Sequence, residues 1–338
     1  MNACRAFGLI AVAMFVCSCG GGSSPPTTPG PSPVPPAPPP PSSGLTGVLV
    51  HALTDAPIPG VLVRIDGLPD VTSGVDGRFS IASADAEQLR RVTLTSSGTV
   101  ERVTHVRVPG PEARLTLMPS TLDLAAFNQM FRSSGGLQRW TSSPRVVVQS
   151  RVLQFTNVTD TEYVAIGETM TDAEVSGLLA DLTYGLPQMT GSAFSSFASE
   201  SREQAAQDER VGVSRAGIIV VARYEGLSAA TGYWGYARWG TSAGEVVRGI
   251  VMIDRGFDTS GSVFRRSLRI HELGHALGYN HVTVRDSVMN SHARFEPNAF
   301  DRDAARFAFF RPPLNRAPDT DPDPFSVNRT TLTWHGDR

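Results

Sequence analysis

The chain has 338 residues, 30 basic and 32 acidic side chains, and a formal net charge of −2. This balance, with no basic stripe interleaved with aromatic residues, lacks the electrostatic footprint of nucleic-acid binding, so no nucleic-acid partner is expected. All three cysteines lie within the first 19 residues. The folded part of the chain is therefore expected to contain no disulfides.

The first elements in chain order are a leader and a linker. Residues 1–18 have a short basic start and an apolar run that is too short to remain in a bilayer as a spanning helix. The end of the run, Val16-Cys17-Ser18-Cys19, resembles a bacterial lipobox with Cys19 as the acylated residue. An ordinary cleaved signal peptide is the alternative. Residues 19–43 are rich in Pro, Ser, Thr and Gly, which predicts a lipid-anchored, semi-rigid linker.

The leader sets the expected location. An acylated Cys19 would place the protein in the bacterial cell envelope as a membrane-anchored lipoprotein. We expect the outer membrane or the cell surface rather than the inner membrane, and a monomeric chain.

Residues 44–119 are predicted to form an all-β sandwich, because short β-rich runs alternate with turn residues such as Asp76-Gly77. The runs are Leu45–Leu53, Val61–Ile65, Arg78–Ile81, Val92–Thr95, Val103–Val108 and Leu115–Leu117. The arrangement of Gly47, Pro59-Gly60-Val61 and Asp76-Gly77-Arg78-Phe79 is similar to carboxypeptidase regulatory-like, transthyretin-like domains. The resemblance implies a spacer or a binding platform, since fold does not by itself give function.

Residues 120–312 are predicted to form an α+β domain with a twisted mixed sheet. Asp172–Leu186 has apolar residues at helical spacing behind a Thr171 cap. Three runs rich in Val and Ile predict strands: Arg145–Phe155, Ala216–Arg223 and Glu245–Asp254.

Three aromatic residues precede the last of these strands: Tyr233, Trp234 and Tyr236. They are candidates for residues on or next to an edge strand of the sheet. Alternatively, they cover a face of the sheet.

The strongest chemical signal is the segment from His271 to His281. In a helix over Phe264–Leu277, His271 and His275 share one face and can bind the same ion, while Glu272 projects nearby as a general base. Gly278 permits a left-handed turn that returns the chain for a third ligand, His281. Three protein ligands leave one position for water, which is typical of one catalytic Zn²⁺ ion.

Two other interpretations of this segment are weaker. A bare His-Glu-x-x-His can be two surface histidines beside a glutamate, but Gly278 and His281 make chance improbable. A structural zinc would require a fourth protein ligand, usually a cysteine, and none follows Cys19.

The same eleven residues, together with Ser287-Val288-Met289-Asn290, whose Met289 lies eight positions after His281, resemble the metzincin zinc peptidases and their Met-turn. Ser291 replaces the tyrosine of astacins and serralysins, so the resemblance is nearer to the matrixin-like or reprolysin-like branches, of which we take the matrixin-like one. The resemblance implies that Tyr233, Trp234 and Tyr236 lie on or next to the edge strand that pairs with extended substrate. It implies an active-site helix, an apolar floor at Met289, and a C-terminal helix, for which Phe300–Phe310 is the candidate.

The resulting expectation is a zinc-dependent endopeptidase that acts on protein or peptide substrates. Two alternatives stay open: a surface binding protein whose zinc site is non-proteolytic or decayed, and a hydrolase of a non-peptide amide. Residues 313–338 read as a Pro- and Asp-rich tail. Asp319, Asp321 and Asp323 have the spacing to touch a structural Ca²⁺, but without a terminal bidentate Glu a solvated tail is favoured.

Overall fold

A computed structural model describes residues 44–133, 135–292, 295–325 and 331–336. The predicted leader and linker, including Cys19, lie outside the described residues. The described chain falls within one compact unit and is a mixed α/β structure rich in sheets. Within it, no helix is both long enough and apolar enough to cross a membrane.

The N-terminal region forms two sheets around a hydrophobic core of its own, as its alternating pattern predicts. The strands are β1 (Gly44–His51), β2 (Leu62–Ile65), β3 (Val71–Thr72), β4 (Arg78–Ala82), β5 (Gln88–Thr95), β6 (Arg102–Val108) and β7 (Ala113–Leu117). One sheet has the order β4-β1-β7 and the other has the order β3-β2-β5-β6. All six predicted strands are confirmed, and the short β3 is additional.

The following region is built on an eight-stranded sheet. Its strands are β8 (Arg145–Gln154), β9 (Glu162–Thr169), β10 (Ser199–Glu203), β11 (Arg210–Gly212), β12 (Ile218–Glu225), β13 (Gly235–Ser242), β14 (Glu245–Asp254) and β15 (Leu332–Gly336). The order is β11-β9-β8-β12-β14-β13-β15, and β10 pairs with β8. Strands β8, β12 and β14 are parallel, whereas β13 is antiparallel to both β14 and β15. The sheet is therefore mixed, as predicted.

Six helices complete the described structure: α1 (Leu124–Arg132), α2 (Asp172–Met189), α3 (Leu227–Thr231), α4 (Arg255–Thr259), α5 (Arg265–Ala276) and α6 (Ala299–Phe309). Thr171 and Glu174 form a capping box that starts α2 at the predicted residue. Helix α5 packs against α2 and against strands β13 and β14. The predicted helices α2, α5 and α6 are confirmed, whereas α1 was not predicted.

The prediction of a solvated acidic tail is wrong for Asp319 and Asp321. Both side chains are buried. Arg311 forms a bidentate pair with Asp319, with N–O distances of 2.6 and 2.7 Å, and Arg102 of β6 pairs with Asp321 at 3.1 Å. Buried arginines compensate these carboxylates, so the segment connects the N-terminal sheets to the rest of the chain.

Candidate metal centre

Helix α5 brings two of the predicted ligands to one buried face. His271 and His275 are one turn apart, and both side chains are almost fully buried. On another side of the helix, Arg269 pairs with the buried Asp258 at 2.7 Å. Asp258 also pairs with Arg223 of β12 at 2.7 Å, so a buried network of charges holds α5 against its surroundings.

The turn after α5 delivers the third ligand, as the glycine pattern predicts. Gly278 has φ +106°, in the left-handed region that side chains avoid. A Cβ at this position would also lie 2.9 Å from the carbonyl oxygen of Gln138. The chain then returns to place His281 beside the helix.

The three imidazoles converge on one point. The Nε2 atoms of His271 and His275 are 3.0 Å apart, and the Nε2 atom of His281 lies 3.3 Å from each of them. Tetrahedral zinc with Zn–N bonds of about 2.0–2.1 Å would hold its nitrogen ligands about 3.3 Å apart. The donor atoms and their spacing therefore fit a zinc ion.

Hydrogen bonds behind the rings orient the ligands. The Nδ1 atom of His271 lies 2.7 Å from the carbonyl oxygen of Val288, and that of His275 lies 2.7 Å from the carbonyl oxygen of Tyr279. A proton on each Nδ1 donates to the carbonyl and leaves the Nε2 lone pair directed to the centre. Burial, together with the charge of His281, lowers the pKa of His275 to about 3, which favours the neutral, metal-binding ring.

Glu272 lies next to this cluster and is also buried, at 2% exposure. It is on α5 facing the first residue of β13, Gly235. A Cβ at Gly235 would overlap the Glu272 carboxylate. Glycine at this position is therefore what leaves room for a carboxylate between the helix and the strand.

Met289 is fully buried in a turn that is joined to two of the ligands. A Cβ added at Gly274, between His271 and His275 on α5, would overlap its sulfur. The carbonyl oxygen of Met289 accepts from the backbone N–H of Val282, the residue after His281. Met289 thus packs against the ligand helix, as expected.

An acidic residue of α6 holds the turn in place. Asp301 is 1% exposed; it accepts from the Ser287 hydroxyl at 2.5 Å and from the Val288 backbone N–H at 3.1 Å. Burial raises the pKa of Asp301, and these hydrogen bonds oppose the rise. Because the carbonyl of Val288 also contacts His271, Asp301 positions a ligand indirectly.

The predicted aromatic segment lies at the start of β13. Tyr233 and Trp234 precede the strand and are about half exposed, and Trp234 stacks on Phe257 with ring centroids 4.6 Å apart. Tyr236 lies within β13 and packs on one face of the eight-stranded sheet, against a hydrophobic core that includes Val220, Ile250 and Met252. Opposite Arg238 to Ser242, strand β15 borders β13, so β13 is not the outermost strand there.

Sequence reasoning missed several residues that shape the site: Gly235, Gly274, Asp301 and Trp239. Trp239 is 1% exposed, and its ring stacks parallel to His275 at 6.1 Å. Its indole N–H donates to Gln138 at 2.6 Å. Gly274 lies inside the His271–His281 segment and Asp301 lies in the first turn of α6, whereas Gly235 and Trp239 lie in the aromatic segment. None of these positions indicates its role until the elements are packed.

Comparisons with known proteins show no family for this chain. The chain matches no protein-family model and no curated protein sequence. Among solved structures, it is similar to Klebsiella pneumoniae 5-hydroxyisourate hydrolase over 23% of this chain and 92% of that chain, with 20% identity and a TM-score of 0.19. At this TM-score the likeness carries no argument about fold or activity.

Proposed function

We propose that the protein is a zinc-dependent endopeptidase of the metzincin type, closest to the matrixin-like branch. The observation that carries the proposal is the convergence of three Nε2 atoms at 3.0–3.3 Å, together with the buried carboxylate of Glu272, which follows His271 directly on α5. A structural zinc site does not require a general base, whereas a hydrolytic one does.

His271, His275 and His281 would hold the ion. Bound there, zinc would supply Lewis acidity, polarising the scissile carbonyl and lowering the pKa of bound water to about 7. The carboxylate of Glu272 accepts the proton of the attacking water and later passes it to the leaving amine. The apolar packing of Met289 and the carbonyls of Val288 and Tyr279 keep the ligand rings in one orientation.

The remaining parts of the proposal concern partners and location. The substrate is a protein or peptide that approaches the centre in extended form along β13. The enzyme is a monomer held in the bacterial cell envelope through acylated Cys19. The N-terminal sheets serve as a spacer or a binding platform and take no part in the chemistry.

The test compares the purified full chain with Glu272→Gln on a mixed peptide library, with bound zinc quantified in both. We expect about one zinc per chain in each protein. Cleavage should fall by at least about 100-fold in the variant, in the range that general acid–base catalysis contributes. Equal zinc with no cleavage by the unmutated chain would reject the peptidase proposal and favour a surface binding protein.

A further inference from the structure

The C-terminal strand β15 occupies the outer side of β13. The two strands are antiparallel, with Leu332 opposite Ser242 at one end and Gly336 opposite Arg238 at the other. Extended peptides bind proteins by adding a strand to such a sheet edge. Strand β15 therefore lies where an added peptide would lie.

The direction of β15 leads toward the metal centre. From Leu332 to Gly336 the chain advances along β13 toward Gly235, whose backbone lies against Glu272. A longer peptide in the position of β15 would thus carry its following residues past the general base. The residues in the place of β15 would be on the N-terminal side of the bond to be cleaved.

On one face of the sheet, Trp334 is held by cations. Its ring lies 4.6 Å from the guanidinium of Arg238 and 6.0 Å from that of Arg248. It also packs on the apolar core of that face. Cation–π contacts of this kind favour an aromatic residue over an aliphatic one.

On the other face, His335 meets a flat surface. Its ring stacks on Trp239 at 5.6 Å with an interplanar angle of 17°. Its Nε2 atom lies 3.1 Å from both the Gln138 amide nitrogen and the Thr241 hydroxyl. The ring of Trp239 also stacks on that of the predicted ligand His275, so this position is one ring away from the metal centre.

The next position is crowded by a side chain and favours a small residue. A Cβ on Gly336 would lie 2.6 Å from the hydroxyl of Tyr236. The edge of β13 therefore offers three positions in order. Arg238 and Arg248 contact an aromatic ring, Trp239 stacks on a planar side chain, and Tyr236 crowds the third position. This order defines a sequence preference.

Strand β15 is less buried than its partner strand β13. Leu332 and Thr333 are exposed and Trp334 and His335 are half-buried, whereas Trp239 and Thr241 of β13 are buried. A five-residue strand with this little burial is among the segments that open locally at low free energy. Exchange with another peptide is therefore feasible without unfolding the sheet.

We propose that the edge of β13 from Arg238 to Ser242 is a binding site for an extended peptide with an aromatic, a planar and a small residue in succession, and that β15 fills it within the same chain. The inference rests on the proposed peptidase function in one respect: the bound peptide is the substrate segment that precedes the cleaved bond. Strand β15 then limits access to the site until it is displaced.

Binding tests the inference without any catalysis. In the Glu272→Gln background, we would measure the fluorescence anisotropy of a labelled peptide with the sequence of residues 331–336. A competitor in the same chain acts at an effective concentration on the order of millimolar. We therefore expect Trp334→Ala/His335→Ala to bind the added peptide at least about tenfold more tightly than the matched control Thr333→Ala, whose altered side chain is exposed.

A second variant covers the case in which the double substitution disturbs folding. Ser242 and Leu332 are direct partners across the two strands, where Cβ atoms lie about 4.5–5.5 Å apart. In Ser242→Cys/Leu332→Cys, oxidation should lock β15 and abolish binding of the added peptide, and reduction should restore the weak binding of the control. Equal binding by the double variant and the control, or by the oxidised and reduced proteins, would overturn the inference.

The two proposals fail in different ways. If the added peptide binds as expected but the active chain cleaves no peptide, the binding site stands and the peptidase function falls. If the active chain cleaves peptides at the same kcat/KM with and without the Trp334→Ala/His335→Ala change, the peptidase function stands and the role of β15 falls. An added peptide with its Trp replaced by Ala should bind at least about tenfold more weakly, and equal binding would contradict the aromatic preference.

Discussion

The ligand segment His271–His281 and the C-terminal segment Arg311–Gly336 differ in how their roles arise. The ligand segment is assembled within eleven consecutive residues, through one helix and one left-handed glycine. The C-terminal segment gains its role only through distant partners: Arg102 of β6 for Asp321, and β13 for β15. Local geometry can be read from spacing, whereas distant pairing requires the fold.

The largest expected effect is in the ligand segment. His275→Ala removes a ligand whose Nε2 lies 3.0 and 3.3 Å from its neighbours. Zinc affinity should fall by more than the 10–100-fold typical of changes in the supporting residues. His292→Ala is the matched control, because that histidine is exposed and outside the cluster. Zinc retention by His275→Ala, measured by competition with a chelator, would refute the assigned ligand set.

A stability experiment tests whether the C-terminal segment is part of the folded core. Arg311 is fully buried and pairs with Asp319, so Arg311→Ala should destabilise the protein by about 3–5 kcal/mol, because it removes the bidentate partner of a buried carboxylate and leaves only the longer pair with Arg132 at 3.7 Å. The exposed Arg316→Ala in the same segment should change stability by less than about 0.5 kcal/mol. Urea unfolding measures both variants. Similar midpoints for the two would mean that the segment is not part of the folded core.

A smaller effect is expected at Gly278, in the turn of the ligand segment. Gly278→Ala places a side chain at φ +106° and 2.9 Å from the Gln138 carbonyl oxygen, so it should cost about 1–3 kcal/mol of stability and weaken zinc binding. Gly98→Ala is the control, because its φ is ordinary and no atom lies within 4 Å of an added Cβ. Thermal unfolding with and without zinc separates strain from loss of the ligand. Unchanged zinc affinity would show that His281 does not depend on this turn.

Local features of this protein could be predicted from its sequence, whereas pairings between distant residues could not. The helices α2, α5 and α6 were predictable because their caps and periodicity are local, as at Thr171 and Glu174. The burial of Asp319 was not predictable. Two prolines follow its partner Arg311, and in the sequence they indicate only the end of a helix, not a buried ion pair. Gly235 gave no signal either, since its requirement comes from Glu272 on another element. Strand β15 is short, and only its pairing with β13 gives it a role.

The measurement closest to the central claim is a zinc titration of the chelator-treated full chain, with peptide cleavage recorded at each addition. The metal-free protein should be inactive, and cleavage should rise in proportion to added zinc and level off at about one zinc per chain, as three histidine ligands and one open position require. Cleavage that persists after complete removal of zinc, or that levels off far from one equivalent, would contradict a single catalytic zinc at His271, His275 and His281.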